Sequence, residues 1–456
     1  LCAMTIFKSC DIRGVYPDEL DEGIAWRLGR AIGQRYAGQA VVVGGDLRTS
    51  TPALKDALID GLCAGVGRVV DLGLLPTPAF YYAKHHLEAP LGVMVTASHN
   101  PPRYNGFKVM LGEWPVEPED VQQLAVGMAE FEGMPVVVGS GCPGRTAHFD
   151  ALPAYIGMLT SDFASLAPRR VVVDAGNGSM WQAAPAVLRA CGQDVDALYC
   201  TPDGRYPNRD PNPAVPAHLR DLRARVQGSG AALGVAFDGD GDRVVAVDAR
   251  GRVLPADQLL VLFVRHLLRE HPGGAVVYDL KSSSVVADEI RAVGGRAIME
   301  RSGHAFIKRR MLEEHAVLGG EVSGHYFFGA LGGDDALYAT LMLLRVLDGL
   351  GVGLAEAIDS VPTYPITPDL RLPCAPEQAR TILQELETAF ADHAIDRLDG
   401  VRIQFEEGWA LARLSVTEPL LTLRCEARSA EALAAIQAEL RARVPALDAL
   451  MRAAGL

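Results

Sequence analysis

Val41-Val-Val-Gly-Gly-Asp46 is a short apolar run that stops at glycine and a carboxylate, and the pattern returns twice. It reappears as Val171-Val-Val-Asp-Ala-Gly176 and as Val276-Val-Tyr-Asp-Leu-Lys281. Continuous Val-rich runs mark strands buried on both faces, the habit of parallel sheets. After each comes a helix-like stretch. About 25 residues on there is a second apolar or mixed run, a spacing that suits a helical crossover. These second runs are Arg68-Val-Val-Asp-Leu72, Asp194-Val-Asp-Ala-Leu-Tyr199 and Arg296-Ala-Ile-Met299. Strand, helix, strand at that spacing is a βαβ unit. Three units predict three similar α/β domains with mixed or parallel sheets.

The chain has 456 residues, too many for one core, since single cores stop growing near ~250–300 residues. Three turn-rich or proline-rich stretches divide it. They are residues 140–146 (Ser-Gly-Cys-Pro-Gly-Arg-Thr), Asp248-Ala-Arg-Gly251 and Val361-Pro-Thr-Tyr-Pro365. The expected segments are 1–145, 146–249, 250–361 and 362–456. The last has a different rhythm. Strands are expected at Val401–Glu407 and Leu420–Glu426, and Ser429 should cap a helix running to residue 443. It reads as a smaller α+β domain.

Apolar residues make up 49% and charged residues 22%, a globular balance, and the formal charge is −13. That charge argues against nucleic acid or an anionic membrane as a general partner, yet leaves room for a local basic pocket. No apolar run is long enough for a transmembrane helix. Leu1-Cys-Ala-Met4 has no basic segment leading into an apolar stretch, so no secretory leader is expected and Met4 reads as the natural start. The eight cysteines form no C-x-x-C pair. Reduced thiols and a cytoplasmic location are expected.

Two stretches carry the sharpest chemistry. In Val93-Met-Val-Thr-Ala-Ser98-His99-Asn100-Pro101-Pro102 an apolar strand ends in a hydroxyl, an imidazole and two prolines that stop both helix and sheet. Ligands of open parallel sheets bind at such strand ends. In Phe237-Asp238-Gly239-Asp240-Gly241-Asp242-Arg243 three carboxylates lie within five residues between apolar strands. They repel unless a cation joins them, and hard oxygen donors suit Mg²⁺ or Ca²⁺. An EF-hand is excluded, because Arg243 replaces the required glycine and Ala249 the final bidentate ligand. An apolar strand followed by Asp-x-Asp also resembles the haloacid-dehalogenase phosphatase motif, with Asp334-Asp335 as a later acidic pair. Against it, Asp242 stands where that motif has a small Thr or Val, and the motif lies mid-chain. Weaker on their own are Gly320-Glu321-Val322-Ser323-Gly324-His325, suited to sugar hydroxyls, and Arg413-Leu414-Ser415-Val416-Thr417, suited to phosphate.

In this order the four loops resemble the α-D-phosphohexomutase superfamily, especially its phosphomannomutase/phosphoglucomutase branch, over essentially the whole chain. Thr96–Pro101 resembles the phosphoserine loop, Asp238–Arg243 the D-G-D-G-D-R metal loop and Gly320–His325 the G-E-x-S-G-H sugar loop. Arg413–Thr417 falls where the C-terminal phosphate loop belongs. Phe7-Lys-Ser-Cys-Asp-Ile-Arg13-Gly14 is similar to the N-terminal F-K-x-Y-D-I-R-G.

The resemblance implies three α/β domains and a smaller fourth around a central cleft. It implies Ser98 as the phosphorylated nucleophile, with His99 beside it, and Mg²⁺ held by Ser98, Asp238, Asp240 and Asp242. Arg13, Lys108 and Arg243 belong near the reacting phosphate, with Lys108 or His325 as proton acceptor. Lys281 and His304 would line the cleft, Glu321 and Ser323 would hold the sugar, and Arg413, Ser415 and Thr417 the distal phosphate. The implied reaction interconverts hexose 1-phosphate and hexose 6-phosphate, of mannose or glucose, through a hexose 1,6-bisphosphate. The partner is a small phosphosugar, and the chain would act as a monomer or dimer. A phosphoglucosamine mutase, a haloacid-dehalogenase-type sugar phosphatase and a non-catalytic phosphosugar sensor are the alternatives. Retention of Ser98, the aspartates and Lys108 argues against the last. Cys10 replaces the family's tyrosine and Val416 its usual asparagine. Both departures bear on substrate preference more than on reaction type.

Overall fold

The computed structural model describes residues 6–136, 139, 144–415 and 419–456. Met4, most of the 140–146 stretch, Val416 and Thr417 lie outside the described residues. Each of the three expected βαβ units is present. Ala40–Gly45 pairs in parallel with Arg68–Leu74 across the helix Thr51–Leu62. Arg170–Asp174 pairs with Asp194–Leu198, and Ala275–Asp279 with Arg296–Glu300, again in parallel and again with a helix between.

By packing the chain forms two compact units, residues up to Phe263 with Ser323–Ile358, and Val264–Val322 with Asp359–Leu456. In the first unit a seven-stranded sheet runs in the order Ile12–Val15, Tyr104–Leu111, Leu91–Val95, Ala40–Gly45, Arg68–Leu74, Thr146–His148, with Trp114–Pro115 on the second strand. Its four-stranded sheet runs Val244–Asp248, Leu233–Phe237, Arg170–Asp174, Asp194–Leu198. The Leu91–Val95 and Leu233–Phe237 strands are buried throughout, as their unbroken apolar sequences require. Each turns back antiparallel after a loop, and those loops carry Ser98 and the three aspartates.

The second unit holds the parallel strands Arg296–Glu300, Ala275–Asp279 and Leu318–Gly320. It also holds an antiparallel sheet of Leu370–Pro373, Leu420–Ala427, Gly408–Leu414, Val401–Phe405 and Ala394–Asp396. Ser429 caps the helix Ala430–Arg443, its side chain accepting from Ala432 N at 3.1 Å.

The expected turn at Asp248–Gly251 is present, with Gly251 N donating to Asp248 O at 2.8 Å. Phe263 in the following helix packs edge-on against Tyr326 and Phe328 within the first unit, with ring centroids 5.2 and 5.8 Å away. Arg413 lies on the strand Gly408–Leu414 rather than in a loop, because Trp409–Ala412 fill the core beside it. Among the described residues Cys10, Cys191, Cys200, Cys374 and Cys425 are free thiols.

The helices Glu22–Arg35 and Thr51–Leu62 approach so closely that their backbones nearly touch. A Cβ on Gly61 would lie 2.1 Å from Trp26 O, and one on Gly29 would lie 2.3 Å from Leu58 O. Propensity alone favours Ala over Gly in a helix by about 0.8–1 kcal/mol. Overpacking of about 1–3 kcal/mol opposes it here. Gly61→Ala should therefore lower the urea midpoint. Gly157→Ala, in the helix Leu152–Asp162 with nothing within 4 Å of the added Cβ, should raise it. A stabilised Gly61→Ala would contradict the close packing.

Candidate active site

Ser98 is fully buried and left-handed, with φ of 51°. Its hydroxyl donates to Asp238 Oδ2 at 2.9 Å, so the strand-end loop and the acidic loop meet at one atom pair. Gly239 permits the approach, since a Cβ there would lie 2.6 Å from Ser98 O. Gly241 supplies the bend, at φ of 80°.

Asp238, Asp240 and Asp242 are each 0% exposed, and their ligating oxygens lie within 4.8 Å of one another. Asp240 Oδ1 and Asp242 Oδ1 accept no hydrogen bond. Buried carboxylate oxygens left without a donor cost about 1–3 kcal/mol or more each. A hard divalent cation removes that cost, so this donor set fits Mg²⁺ or a similar ion. Burial, reinforced by Asp242 and Asp240, pushes the Asp238 carboxyl well above its usual range. For Asp242 burial acts upward, but Lys108, His325 and Arg243 outweigh it and hold the carboxyl well below.

Lys108 Nζ donates to Asp240 Oδ2 at 2.8 Å and also to Asp242 Oδ2. Burial alone would lower its pKa, but the two carboxylates reverse this and raise it well above the ordinary value. The ammonium form of Lys108 is therefore favoured while both carboxylates face it. Arg243 Nε donates to His325 Nε2 at 2.8 Å and lies 3.9 Å from Asp238 Oδ2. His325 Nδ1 faces Asp334 Oδ2 at 2.9 Å and Asp242 Oδ1 at 3.7 Å. His99 Nδ1 is 3.4 Å from Ser98 Oγ. Burial, then Arg243 and Arg13, hold its pKa well below the usual imidazole range, so it stays neutral. Arg13 reaches the same loop through Asn100 Oδ1 at 2.6 Å.

Some supports carry no motif. Thr77 donates its hydroxyl to Asp240 Oδ2 at 2.7 Å and its N–H to Asp240 O at 2.8 Å. Arg209 pairs with Asp174 at 2.8 Å and donates to Phe237 O at 2.7 Å, bracing the strand end before the acidic loop. Asp335 is not a phosphatase-type metal carboxylate. It caps the helix Ala336–Leu350, accepting from Leu337 N, Tyr338 N and Tyr155 Oη.

The remaining expected residues fall in both units. Ser323 joins His325 in the first. In the second, Glu321 Oε1 accepts from Gly303 N at 2.5 Å, next to His304, the first residue of its helix. Lys281 Nζ donates to Asp369 Oδ2 at 2.7 Å, and Arg424, which no motif marked, faces Asp369 at 3.5 Å. Arg413 pairs with Asp399, and Ser415 follows it just past the strand end.

Four family descriptions match the chain in sequence order. Phosphoglucomutase/phosphomannomutase alpha/beta/alpha domains I, II and III match residues 4–130, 148–251 and 255–364, and the C-terminal domain matches 370–443. A phosphomannomutase/phosphoglucomutase of Pseudomonas aeruginosa is 38% identical over 451 residues, covering 97% of this chain and 96% of the relative. A phosphoglucomutase of Neisseria gonorrhoeae is 36% identical, with 96% of each covered. The crystal structure of a phosphoglucomutase/phosphomannomutase family protein from Burkholderia thailandensis superposes with a TM-score of 0.89 at 35% identity, over 98% of both chains. Among the described residues no helix is long and apolar enough to cross a membrane. With a serine held on a buried triple-aspartate loop, and with matches in order along almost its whole length, the chain belongs to the phosphoglucomutase/phosphomannomutase family of phosphohexomutases.

Proposed function

We propose that the chain interconverts the 1- and 6-phosphates of mannose or glucose through phosphorylated Ser98 and a hexose 1,6-bisphosphate. The observation that carries this reading is the 2.9 Å hydrogen bond from Ser98 Oγ to Asp238, inside a cluster of three buried carboxylates. Relatives named phosphomannomutase and phosphoglucomutase support mannose and glucose as the sugars. The reading carries with it a cytoplasmic monomer or dimer acting on a free phosphosugar, with residues 1–145, 146–249, 250–361 and 362–456 as its four modules.

Asp238, Asp240, Asp242 and an oxygen of phospho-Ser98 would hold Mg²⁺, which when bound supplies positive charge to the transferring phosphoryl group. The chain's own residues do the rest. A substrate hydroxyl attacks phosphorus; its O–P bond forms as the bond to Ser98 Oγ breaks. Lys108 and Arg243 neutralise phosphoryl oxygens. With Lys108 held as an ammonium, the proton goes to His325, whose Nε2 becomes available once Arg243 turns to a phosphoryl oxygen. The bisphosphate then reorients. Ser98 Oγ attacks the other phosphorus, the proton returns to the sugar oxygen that leaves, and the isomeric monophosphate is released. Glu321, Ser323 and His304 hold the sugar in both orientations. Arg413, Ser415, Thr417 and Lys281 take whichever phosphate is not reacting.

Ser98→Ala removes the nucleophile and little volume. It should leave the fold intact and lower kcat by at least about four orders of magnitude. Peptide mass spectrometry of the wild type should find phosphate on Ser98. Phosphate on Asp238 instead would return the reaction to the haloacid-dehalogenase type. For the metal, Mn²⁺ titration followed by electron paramagnetic resonance should give one site, weakened more than about tenfold in Asp240→Asn. A rate unchanged after EDTA would exclude a required ion. Arg413→Ala should raise KM for both isomers, and Arg413→Lys should restore only part, because a point charge lacks the paired donors. An effect on one isomer alone would contradict a phosphate clamp shared by the two orientations.

A further inference from the structure

Arg48 stands outside every motif that marked the site, yet it is among the most enclosed charges in the chain. Its side chain and that of its partner Asp46 are both 0% exposed. Arginine has five N–H donors, and here all are committed. Nε donates to Asp46 Oδ2 at 3.0 Å. Nη1 donates to Pro101 O and Tyr104 O, each at 2.8 Å. Nη2 donates to Ser98 O and Asn100 O, each at 2.7 Å. Three of the five bonds end on the loop that carries Ser98, and a fourth on Tyr104, the first residue of the strand that follows it.

The same bracket grips that loop from its other side. Ser98 N donates to Thr96 Oγ1 at 2.8 Å, and Thr96 Oγ1 donates to Asp46 Oδ2 at 2.7 Å. Asp46 also accepts from Arg48 N at 3.0 Å and from Thr51 Oγ1 at 2.7 Å. The N–H and C=O of Ser98 are thus both tied into one buried network centred on the Asp46–Arg48 pair. This matters because Ser98 is a non-glycine residue at φ of 51°, a conformation that persists only where surrounding bonds impose it. The direction of Ser98 Oγ follows from that backbone.

We propose that Arg48 is a positioning residue for the reaction. Its guanidinium fork fixes the left-handed turn at Ser98 and so aims the hydroxyl at Asp238 and the phosphoryl group. The inference rests on Ser98 being the phosphoryl carrier. A lysine at 48 would keep the charge opposite Asp46, but one ammonium cannot span four carbonyls spread over residues 98–104.

The test uses full-length Arg48→Lys, Arg48→Gln and Thr96→Val beside the wild type. Four quantities are measured: circular dichroism, Mn²⁺ affinity, steady-state kcat and KM with glucose 1-phosphate, and the single-turnover rate of phosphate transfer from glucose 1,6-bisphosphate to Ser98, read by quench and peptide mass spectrometry. A misplacement of about 1 Å can cost roughly 100-fold, and Arg48→Lys should lose about that much in kcat and in the transfer rate together. Its KM should stay within about threefold, as expected for an interaction used in the chemical step, and its Mn²⁺ affinity should not change. Arg48→Gln should be at least as impaired. Wild-type kcat in Arg48→Lys, or a raised KM at unchanged kcat, overturns the proposal. Should the Arg48 variants fail to fold, Thr96→Val decides, since it leaves Arg48 in place and removes the hydroxyl that joins Ser98 N to Asp46. A kcat loss without a KM change supports the bracket, and no loss overturns it. Phosphate on a residue other than Ser98 in the wild type overturns the parent reading. Phosphate on Ser98 with an unimpaired Arg48→Lys overturns the positioning role alone.

Discussion

Three carboxylates buried within 4.8 Å of one another are the constraint that the first unit is organised around. Two unit charges at that separation repel by roughly 3 kcal/mol at an effective dielectric near 20. Lys108 and Arg243 supply two positive charges against three negative ones, and two buried carboxylate oxygens still lack a donor. The shortfall has a use. A site that is short of positive charge before substrate arrives has a place for a divalent cation, and a doubly charged phosphoryl group entering beside it deepens the same need. The raised Asp238 and the depressed Asp242 are two expressions of one crowded charge distribution.

Holding such a cluster in place falls to the backbone as much as to side chains. Gly239 lets the acidic loop rest against Ser98 O, and Gly178 lets another turn rest against Gly239 O, where a Cβ would lie 2.8 Å away. Two buried arginines take up carbonyls that the strands no longer pair. Arg48 serves the serine loop and Arg209 the strand end before the aspartates. Each is matched to a buried aspartate, Asp46 or Asp174, so neither leaves an uncompensated charge.

How much of this was legible follows from what sequence encodes locally. The βαβ units were readable because buried parallel strands must be continuously apolar. The acidic loop was readable because three carboxylates in five residues between apolar strands repel one another until a cation joins them. Thr77, Arg48 and Arg209 were not readable. Each acts across at least 28 residues of sequence, on Asp240, on the 98–104 carbonyls and on Phe237. A buried arginine looks like a surface arginine until its carbonyl partners are known. The motif at Arg413–Thr417 suggests a loop, whereas the apolar residues Trp409–Ala412 before it carry the strand through Arg413.

The cations of the second unit are built to a different standard, and the contrast fits their different tasks. Lys281, Arg413 and Arg424 are 15–18% exposed, and their carboxylate partners Asp369 and Asp399 are 28–34% exposed. Ion pairs open to water are worth only about 0–1 kcal/mol. On the proposed reading, a phosphate dianion offers these cations more charge and more acceptor oxygens than a single carboxylate, so it can replace or share these partners. Lys108, enclosed between Asp240 and Asp242, has no such freedom. On the mechanism proposed above, a nucleophile must stay within a fraction of an ångström of its line of attack, whereas a clamp that receives either of two phosphates must release each one. Burial supplies the first property, and partial exposure supplies the second.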